Sequence, residues 1–524
     1  MLPLAVFGPI DWMVVLAYFA SMIGIGLYTS RRRQDTEDYF LGGRSLPTWA
    51  VSVSIVSTTL SAATFVGAPE LSFGGNLTYL SFALSNFLAV LIVAGVFIPR
   101  LYRAGGVTIY GYLATRFGEP SRIAVSLFFL AGRMLASAAR LFIAAMPVCL
   151  LIFASRHQTG YTPTAGQLIA AVCLIGLIGT AYTTLGGIRT VVWTDTIQFF
   201  IVVGAATLSV IILLHRIGRS PADIVHILAR PGPGEPSKLR LFDFTWSAPF
   251  SFWAAMLANT WLTVAVLGVD QDFAQRFLIS KSARKGVISL LSSQVIGLVV
   301  QAGFMLIGLL LYIFYKRPDL MGAAAPTYAP VGKQAYPNFL VSELPTVVSG
   351  IAVAGFFAIA QGSMDSAINA LASSAIADIY LPIRKRMGYE PSPRQSSEAP
   401  KLAVLLMGFV MTLFAILCII LYHGSNGTLI EFALGVMAFA YTGMLGVFLT
   451  ALLTRRGNNA SVIAALLTGV VVVILMQPPI LARLAPLWHG QPMKIPQAWW
   501  MPIGTILSFL VCVSGSRLNE PGGQ

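Results

Sequence analysis

Hydroxyl side chains are crowded into the middle of one long apolar run, residues 47–72. Seven of them lie between positions 52 and 64, namely Ser52, Ser54, Ser57, Thr58, Thr59, Ser61 and Thr64. Irregular backbone inside a membrane is tolerated only where it is buried or lines a cavity, and a broken helix there offers carbonyl and hydroxyl oxygens to a cation or a substrate. Small hydroxyl residues also serve helix–helix packing. These residues alone leave both interpretations open.

A second apolar run, residues 342–376, contains the polar stretch QGSMDSAINALASS at positions 361–374. Asp365 is the clearest candidate there, because a carboxylate in the membrane costs about 2.5–3.5 kcal/mol and is a functional candidate by default. Ser363 and Ser366 share one helix face. Asp195 is a further acid in an apolar run, and serves either as a ligand or as a charge that stabilises a helix start. Such oxygens suit a hard monovalent cation, whereas zinc and copper sites need other ligands.

Arg133 and Arg140 lie seven residues apart, and hence on one face of the helix predicted over residues 123–154. A guanidinium keeps its charge when buried and binds a carboxylate with two parallel hydrogen bonds. The functional interpretation is therefore capture of an anionic group. The structural alternative is an ion pair with Asp365 or Asp195.

The chain around these residues has the composition of a membrane protein. Of its 524 residues 56% are hydrophobic and 10% charged, and the mean hydropathy is +0.78, whereas soluble domains carry about 25% charged residues. A spanning helix needs ~20 apolar residues. We predict an all-α polytopic membrane protein with about thirteen transmembrane helices, at 10–29, 47–72, 76–99, 123–154, 165–183, 191–214, 248–268, 286–315, 342–376, 402–422, 428–453, 460–476 and 499–515.

The net charge of +14 results from 34 Lys+Arg against 20 Asp+Glu. With the N-terminus outside, the inner connections hold 21 cations, Arg276 among them, and the outer ones 11, which leaves Arg133 and Arg140 in the membrane. Inner connections are the ones enriched in Lys and Arg, so we predict a multi-pass protein of the cell membrane with its N-terminus outside and its C-terminus inside.

The same distribution excludes other classes of function. The cations form short clusters between apolar runs rather than a basic, aromatic face for nucleic acid. No CxxC pair, HExxH motif or nucleophile–base pair occurs. We therefore expect no enzyme, no nucleic-acid partner and no cofactor, with the lipid bilayer as the surroundings.

Six segments in order resemble the sodium-solute symporter family, from about residue 10 to 476. They are residues 38–50 (DYFLGGRSLPTWA), 105–118 (GGVTIYGYLATRFG), 182–198 (YTTLGGIRTVVWTDTIQ), 268–282 (GVDQDFAQRFLISKS), 363–371 (SMDSAINAL) with 378–380 (DIY), and 441–449 (YTGMLGVFL). The resemblance implies thirteen helices in the leucine-transporter type of fold, with a five-plus-five inverted repeat over residues 47–214 and 248–453. The N-terminal helix at 10–29 and the C-terminal helices at 460–515 then flank the repeats.

The resemblance also implies positions for sodium. The main site would use the main-chain carbonyls of Ser57, Leu60 and Ile359 and two successive hydroxyl residues, which here read Gly362 and Ser363. Gly362 departs from the family pattern, because it has no hydroxyl. A second site would match Asp195, Ser363 and Ser366 together with Asp365, where an acid replaces a hydroxyl. Two acids beside one cation make proton coupling a variant of the mechanism.

For the solute, residues 58–64 (TTLSAAT) look most like the bacterial sodium–sialic acid branch. That likeness implies that hydroxyls and a helix arginine hold a carboxylate, with Arg133 the nearer match and Arg140 its neighbour. The other substrate candidates are Thr59, Ser61, Thr64, Asn86, Asn259 and Trp261; Trp261 fits plain helix packing equally well.

The expected function is sodium-coupled symport of a small organic solute, carboxylated and sialic-acid-like, by alternating access. An alternative is sodium- or proton-coupled transport of a sugar, an amino acid or a monocarboxylate. An alternative of another class is a membrane sensor that binds solute without moving it. Sodium is the expected coupling ion, and the oligomeric state is left open.

Overall fold

A computed structural model describes most of the chain. The described residues are 8–30, 35–153, 163–232, 234–246, 248, 250–321, 326, 330, 332–389, 392–422, 429–484 and 495–516. They contain helices and the connections between them, and no β-strand occurs in these residues.

The described chain contains 21 α-helices. They are α1 (Pro9–Ser30), α2 (Thr36–Leu41), α3 (Thr48–Thr59), α4 (Ala62–Gly74), α5 (Ser81–Ile92), α6 (Ile98–Ala104), α7 (Gly111–Phe117), α8 (Glu119–Phe153), α9 (Ala165–Ile217), α10 (Pro221–Ala229), α11 (Thr260–Gly268), α12 (Gln271–Leu278), α13 (Ala283–Lys316), α14 (Ala335–Ser342), α15 (Val348–Ser374), α16 (Leu381–Arg386), α17 (Pro393–Tyr422), α18 (Leu429–Leu453), α19 (Asn459–Leu475), α20 (Pro478–Leu484) and α21 (Trp500–Val513).

Each of the thirteen predicted spans coincides with a helix, a bent helix pair or part of a longer helix. Seven helices in the described chain are long and apolar enough to cross a membrane, and α3 with α4 adds an eighth as a bent pair. The predicted spans 165–183 and 191–214 are continuous in α9, whose 53 residues bend at Gly187. The number of helices that cross the bilayer therefore stays a prediction.

A run of apolar residues forms a helix here because, without water, the backbone must satisfy its own hydrogen bonds. Large apolar side chains on α17 point outward, with Leu402 68%, Phe409 63% and Ile420 64% exposed. In a soluble protein such a patch would mark an interface. On a membrane helix it is the surface that contacts lipid.

Helix α15 is the centre of the molecule and packs against α1, α8, α9 and α17. Every residue from Ala352 to Ser374 is buried, which explains how this helix tolerates so many polar side chains. Its N-terminus has no local cap. Instead Asp11 of α1 accepts hydrogen bonds from Val347 N (2.8 Å), Gly350 N (3.0 Å) and Ser349 Oγ (2.8 Å), and so satisfies donors that a helix start leaves free.

The break between α3 and α4 lies in the middle of the hydroxyl-rich run. Leu60 and Ser61 have extended backbone conformations, and the two helices are bent by 62°. The last carbonyls of a helix have no partner within it. The break therefore releases backbone oxygens at the depth where α3 meets α15.

Candidate functional site

The break between α3 and α4 meets the polar middle of α15. Ser363 Oγ donates to the Leu60 carbonyl at 3.4 Å. Ser57 and Gly362 face each other, because a Cβ built on Gly362 would lie 3.3 Å from Ser57 Oγ. Ile359 lies one turn before Ser363 on the same buried helix. The structure thus brings Ser57 and Leu60 together with Gly362 and Ser363, four of the residues that the resemblance implied for the main sodium site.

The four residues of the implied second sodium site lie in one polar interior but do not all converge. Asp195 Oδ2 accepts from Ser54 Oγ at 2.5 Å, and Asp365 Oδ2 accepts from Tyr182 Oη at 2.6 Å. The other carboxylate oxygen of each aspartate is buried, with no donor among the residues that the structure describes. Ser366 instead donates to Asp272 at 3.3 Å.

Three aspartates and two arginines form one buried chain of ion pairs. Arg133 Nη1 lies 2.8 Å from Asp270 Oδ2 and its Nη2 contacts Asp272. Arg276 bridges Asp272 at 2.6 Å and Asp195 at 3.1 Å. All five side chains are fully buried. The chain of pairs ties α8, α9 and α12 together next to α15.

One expectation about these charges was wrong. The ion-pair alternative gave Arg133 a partner in Asp365 or Asp195, whereas its partners are Asp270 and Asp272. The error arises because Asp270 and Asp272 belong to α12 and its N-cap, and the packing of this short helix against α15 does not follow from residue order. The cation count placed Arg276 in the connection between spans 248–268 and 286–315; the structure adds that this residue has no exposed surface.

A cavity of about 210 Å³ opens beside the helix break. Leu60 belongs to its wall and also to the implied sodium site, so a solute and a cation would contact the same broken segment. Apolar side chains such as Leu262 and Phe273 form part of the wall. The hydroxyl and amide side chains that face it are Thr59, Thr64, Tyr79, Asn86, Thr263, Ser293, Gln294 and Gln301.

Among the described residues that line this cavity, Arg140 is the single cationic one. Its Nη1 is buried with no partner in the part of the chain that the structure describes, and its Nη2 approaches the sulfur of Met437 at 3.6 Å. A buried guanidinium nitrogen without a partner costs free energy. Of the two arginines, Arg140 is therefore the one whose hydrogen-bonding capacity these residues leave unused.

Several substrate candidates lie behind the cavity rather than in its described wall. Asn259 donates to Ser85 Oγ at 2.7 Å and to Asn86 Oδ1 at 3.1 Å, so it orients Asn86. Ser61 begins α4 and its Oγ lies 3.5 Å from that of Thr64. Trp261 packs against the apolar core, and Arg133 is held by its two aspartates.

Sequence reasoning missed Asp270, Asp272, Arg276 and Gln198 as members of the polar interior. A signal was present for the first three, because Asp272 and Arg276 have the four-residue spacing of a helical ion pair. They also lie within one of the family-like segments. Gln198 likewise ends one of the family-like segments, 182–198, but its partners lie on helices distant in sequence and could not be read from that segment.

Comparisons with known proteins identify the family of this chain. Residues 39–469 match the model of the sodium:solute symporter family. The sodium/sialic acid symporter SiaT of Proteus mirabilis is 30% identical over 449 residues, which cover 84% of this chain and 85% of that protein. The human sodium-coupled monocarboxylate transporter 2 is 26% identical over 447 residues, covering 84% of this chain and 67% of that protein.

A solved structure has the same fold. It is a Na⁺-coupled sialic acid symporter in a substrate-bound, outward-open state, with a TM-score of 0.77, 25% identity, and coverage of 97% of this chain and 98% of that chain. This likeness confirms the predicted all-helical transporter fold. The family match identifies the protein as a symporter rather than as a solute sensor or an enzyme. The chain belongs to the sodium:solute symporter family and is a multi-pass membrane transporter that couples the movement of a solute to sodium.

Proposed function

We propose that this transporter carries a carboxylated, hydroxyl-rich solute of the sialic acid type and that Arg140 binds the carboxylate. The observation that supports this most directly is the buried, unpaired Nη1 of Arg140 in the cavity beside the helix break. A guanidinium binds a carboxylate through two parallel hydrogen bonds and stays charged when buried.

The rest of the cavity wall suits the remainder of such a solute. Thr59, Thr64 and Asn86 offer hydroxyl and amide groups near Arg140, and Gln294 and Gln301 offer amides on another helix. A sugar-like molecule with several hydroxyls would pair with these groups. Two relatives, SiaT of Proteus mirabilis and NanT of Aliivibrio fischeri, are named as sodium/sialic acid symporters.

A small monocarboxylate is the second candidate, because Arg140 would bind its carboxylate equally well and relatives named for that substrate align over 84% of this chain. Such a solute lacks the hydroxyls that would pair with the polar wall. A neutral sugar would leave Arg140 unpaired, and an amino acid would bring an ammonium group toward a cavity that contains a cation.

The coupling mechanism follows from the shared position of Leu60. Sodium bound by the carbonyls of Ser57 and Leu60 and by Ser363 would fix the conformation of the broken segment. Thr59 and Thr64 of the same segment face the cavity that would hold the solute. Each ligand would then bind more tightly when the other is present, because both stabilise one conformation of the same segment. Asp195 and Asp365 are the acids for a second sodium, or for a proton in the coupling variant.

The repeat assignment and the orientation complete the proposal. We assign the two inverted repeats to residues 47–214 and 248–453, with the break between α3 and α4 in the first helix of the first repeat. We place the N-terminus outside and the C-terminus inside. With Arg276 in the protein interior, the cation count becomes 20 inside against 11 outside, so the charge bias still supports this orientation.

Uptake into liposomes tests the substrate assignment. Purified protein should take up sialic acid under an inward sodium gradient, and its methyl ester, which lacks the negative charge, should neither be taken up nor compete. Arg140→Ala should raise the half-saturating solute concentration at least about tenfold, since it removes a charged hydrogen-bonding partner. Arg140→Lys should recover part of this loss. Equal uptake by Arg140→Ala, or lactate competing better than sialic acid, would overturn the assignment.

A further inference from the structure

A basic turn connects α16 to α17 at one end of the molecule. The apolar helix that contains α15 continues to Arg386, and the next apolar stretch begins at Gln395 in α17. The joining segment, residues 384–401, contains five Lys or Arg and two Glu, a net charge of +3. A basic cluster directly beside a membrane helix attracts anionic lipid, so the contacts of this segment decide whether it can bind one.

The turn has one defined backbone conformation. Gly388 adopts a φ of +75° and its N–H donates to the Lys385 carbonyl at 3.1 Å. The Tyr389 N–H donates to the Arg384 carbonyl, also at 3.1 Å. These two bonds form a Schellman motif, which ends a helix with a residue in the left-handed region. The side chains of the turn therefore project from a fixed backbone.

The three cations at the end of α16 differ in their partners. The Arg384 guanidinium lies 5.7 Å from the centre of the Tyr380 ring and 5.5 Å from that of the Tyr389 ring. Lys385 and Arg386 are exposed, and their side chains form no hydrogen bond or ion pair with a residue that the structure describes. Cations in the last turn of a helix favour its dipole. That role leaves both charged groups available to a ligand.

Large apolar side chains surround these cations. Ile383 is 46%, Met387 64% and Tyr389 60% exposed. Exposure of apolar surface to water is unfavourable, and an exposed patch of this kind marks a surface that contacts another molecule. The combination of free cations and apolar side chains matches a ligand that has a charged end and an apolar end.

The turn lies close to the lipid-facing surface of α17. Arg384 Nη2 donates to Gln395 Oε1 at 3.2 Å, so the end of α16 and the start of α17 are at one level. Gln395 precedes Leu402, which is 68% exposed to lipid, by seven residues, or about 10 Å of helix. The polar layer beside the hydrocarbon core is about 5–8 Å thick. Long basic side chains extend toward that layer, so the turn is at headgroup depth.

We infer that this turn binds an anionic phospholipid, whose headgroup pairs with Lys385 and Arg386. Ile383, Met387 and Tyr389 would contact the glycerol and the first acyl carbons of the same molecule, and so select a lipid over a free anion. With the N-terminus outside, as proposed above, the lipid belongs to the inner leaflet. Binding itself does not depend on that orientation. The bound lipid holds together the ends of two helices, one of which continues from the polar centre of the transporter.

The test measures lipid binding without solute or a gradient. The full-length protein in a neutral detergent is titrated with dioctanoyl phosphatidylglycerol or dioctanoyl phosphatidylcholine, and its thermal stabilisation is followed. Phosphatidylglycerol should stabilise it at lower concentration than phosphatidylcholine. Lys385→Gln with Arg386→Gln should raise the half-maximal phosphatidylglycerol concentration at least about tenfold, since each basic residue near an anionic surface contributes about fivefold in affinity.

Two matched variants separate charge at this turn from charge in general. Lys385→Arg with Arg386→Lys keeps both charges and should keep the response. Arg455→Gln with Arg456→Gln removes an adjacent exposed pair elsewhere on the same predicted side and should also keep it. Potassium chloride added at constant sodium should weaken the response of the unmodified protein, because salt screens exposed charges.

Three outcomes would overturn the inference. One is equal stabilisation by phosphatidylcholine and phosphatidylglycerol, and another is an unmodified response in the double glutamine variant. The third is equal stabilisation by glycerophosphate, which carries the charge without acyl chains and would assign the turn to a free phosphate. Sodium-driven uptake is measured separately, so each of these results leaves the proposed transport intact.

Discussion

Two arginines on one helix face have different roles here because their neighbours differ. Arg133 is enclosed by Asp270 and Asp272, and Tyr441 donates to the same Asp270 carboxylate. Arg140, two turns further along α8, faces the cavity with an unpaired nitrogen. The first arginine therefore holds helices together, and the second is free for a ligand.

Arg133→Ala is expected to destabilise the protein by about 3–5 kcal/mol, because it leaves two buried carboxylates without their partner. Arg140→Ala, which removes an unpaired guanidinium, should leave the stability unchanged or slightly higher. Thermal unfolding of both purified variants in one detergent checks this contrast. Matching melting temperatures for the two variants would show that Arg133 is not the structural member of the pair.

The elements that matter most for function are the interrupted ones. α3 and α4 are separated at Leu60 and Ser61, and α9 bends at Gly187, where φ is +60° and ψ is −150°. Residues with a side chain avoid that backbone region. At Gly187 a Cβ would also lie 2.4 Å from the carbonyl oxygen of Tyr39. The glycine thus sets the angle at which the half of α9 bearing Asp195 approaches α15.

Gly187→Ala should lower the stability by about 1–3 kcal/mol or more, the cost of a backbone region that is essentially restricted to glycine. Gly204→Ala, in the same helix with nothing within 4 Å of its Cβ position, should instead stabilise by up to about 1 kcal/mol, the difference in helix propensity. Melting temperatures of the two variants are the measurement. A stable Gly187→Ala variant would contradict the assigned bend.

At the scale of the whole molecule, charge distribution and burial together set the topology. Apolar surfaces such as that of α17 face outward, and the polar interior is concentrated around α15. Most Lys and Arg residues lie in the connections between helices, and the majority of these connecting cations lie on the predicted inner side. Orientation is then a property of the entire chain rather than of one helix.

Cysteine labelling in intact cells is expected to confirm that orientation. Arg240 and Arg386 are both exposed, on opposite predicted sides. In a variant whose four cysteines are replaced by alanine, a membrane-impermeant maleimide should label Arg240→Cys, and should label Arg386→Cys only after permeabilisation. The reverse pattern would place the N-terminus inside.

The helices were predictable from sequence because their causes are local: an apolar run of sufficient length has to form a helix in lipid. The seven hydroxyls between positions 52 and 64 suited both helix packing and a broken helix, and the family resemblance favoured the break, which the structure places at Leu60 and Ser61. Asp365 and the two arginines stood out as charges inside apolar runs. Gly187 was not singled out, since a glycine in a membrane helix is common.

The sequence by itself determined the membrane class, the positions of the helices and the residue types available for a cation and an anion. Only the tertiary structure decided which charge meets which. Arg133 and Asp272 are 139 positions apart, and Asp11 caps a helix start 336 positions away. Electrostatic and hydrogen-bond partners depend on distances of a few ångströms, which helix packing sets. For that reason the structure, and not the order of residues, separates Arg133 from Arg140.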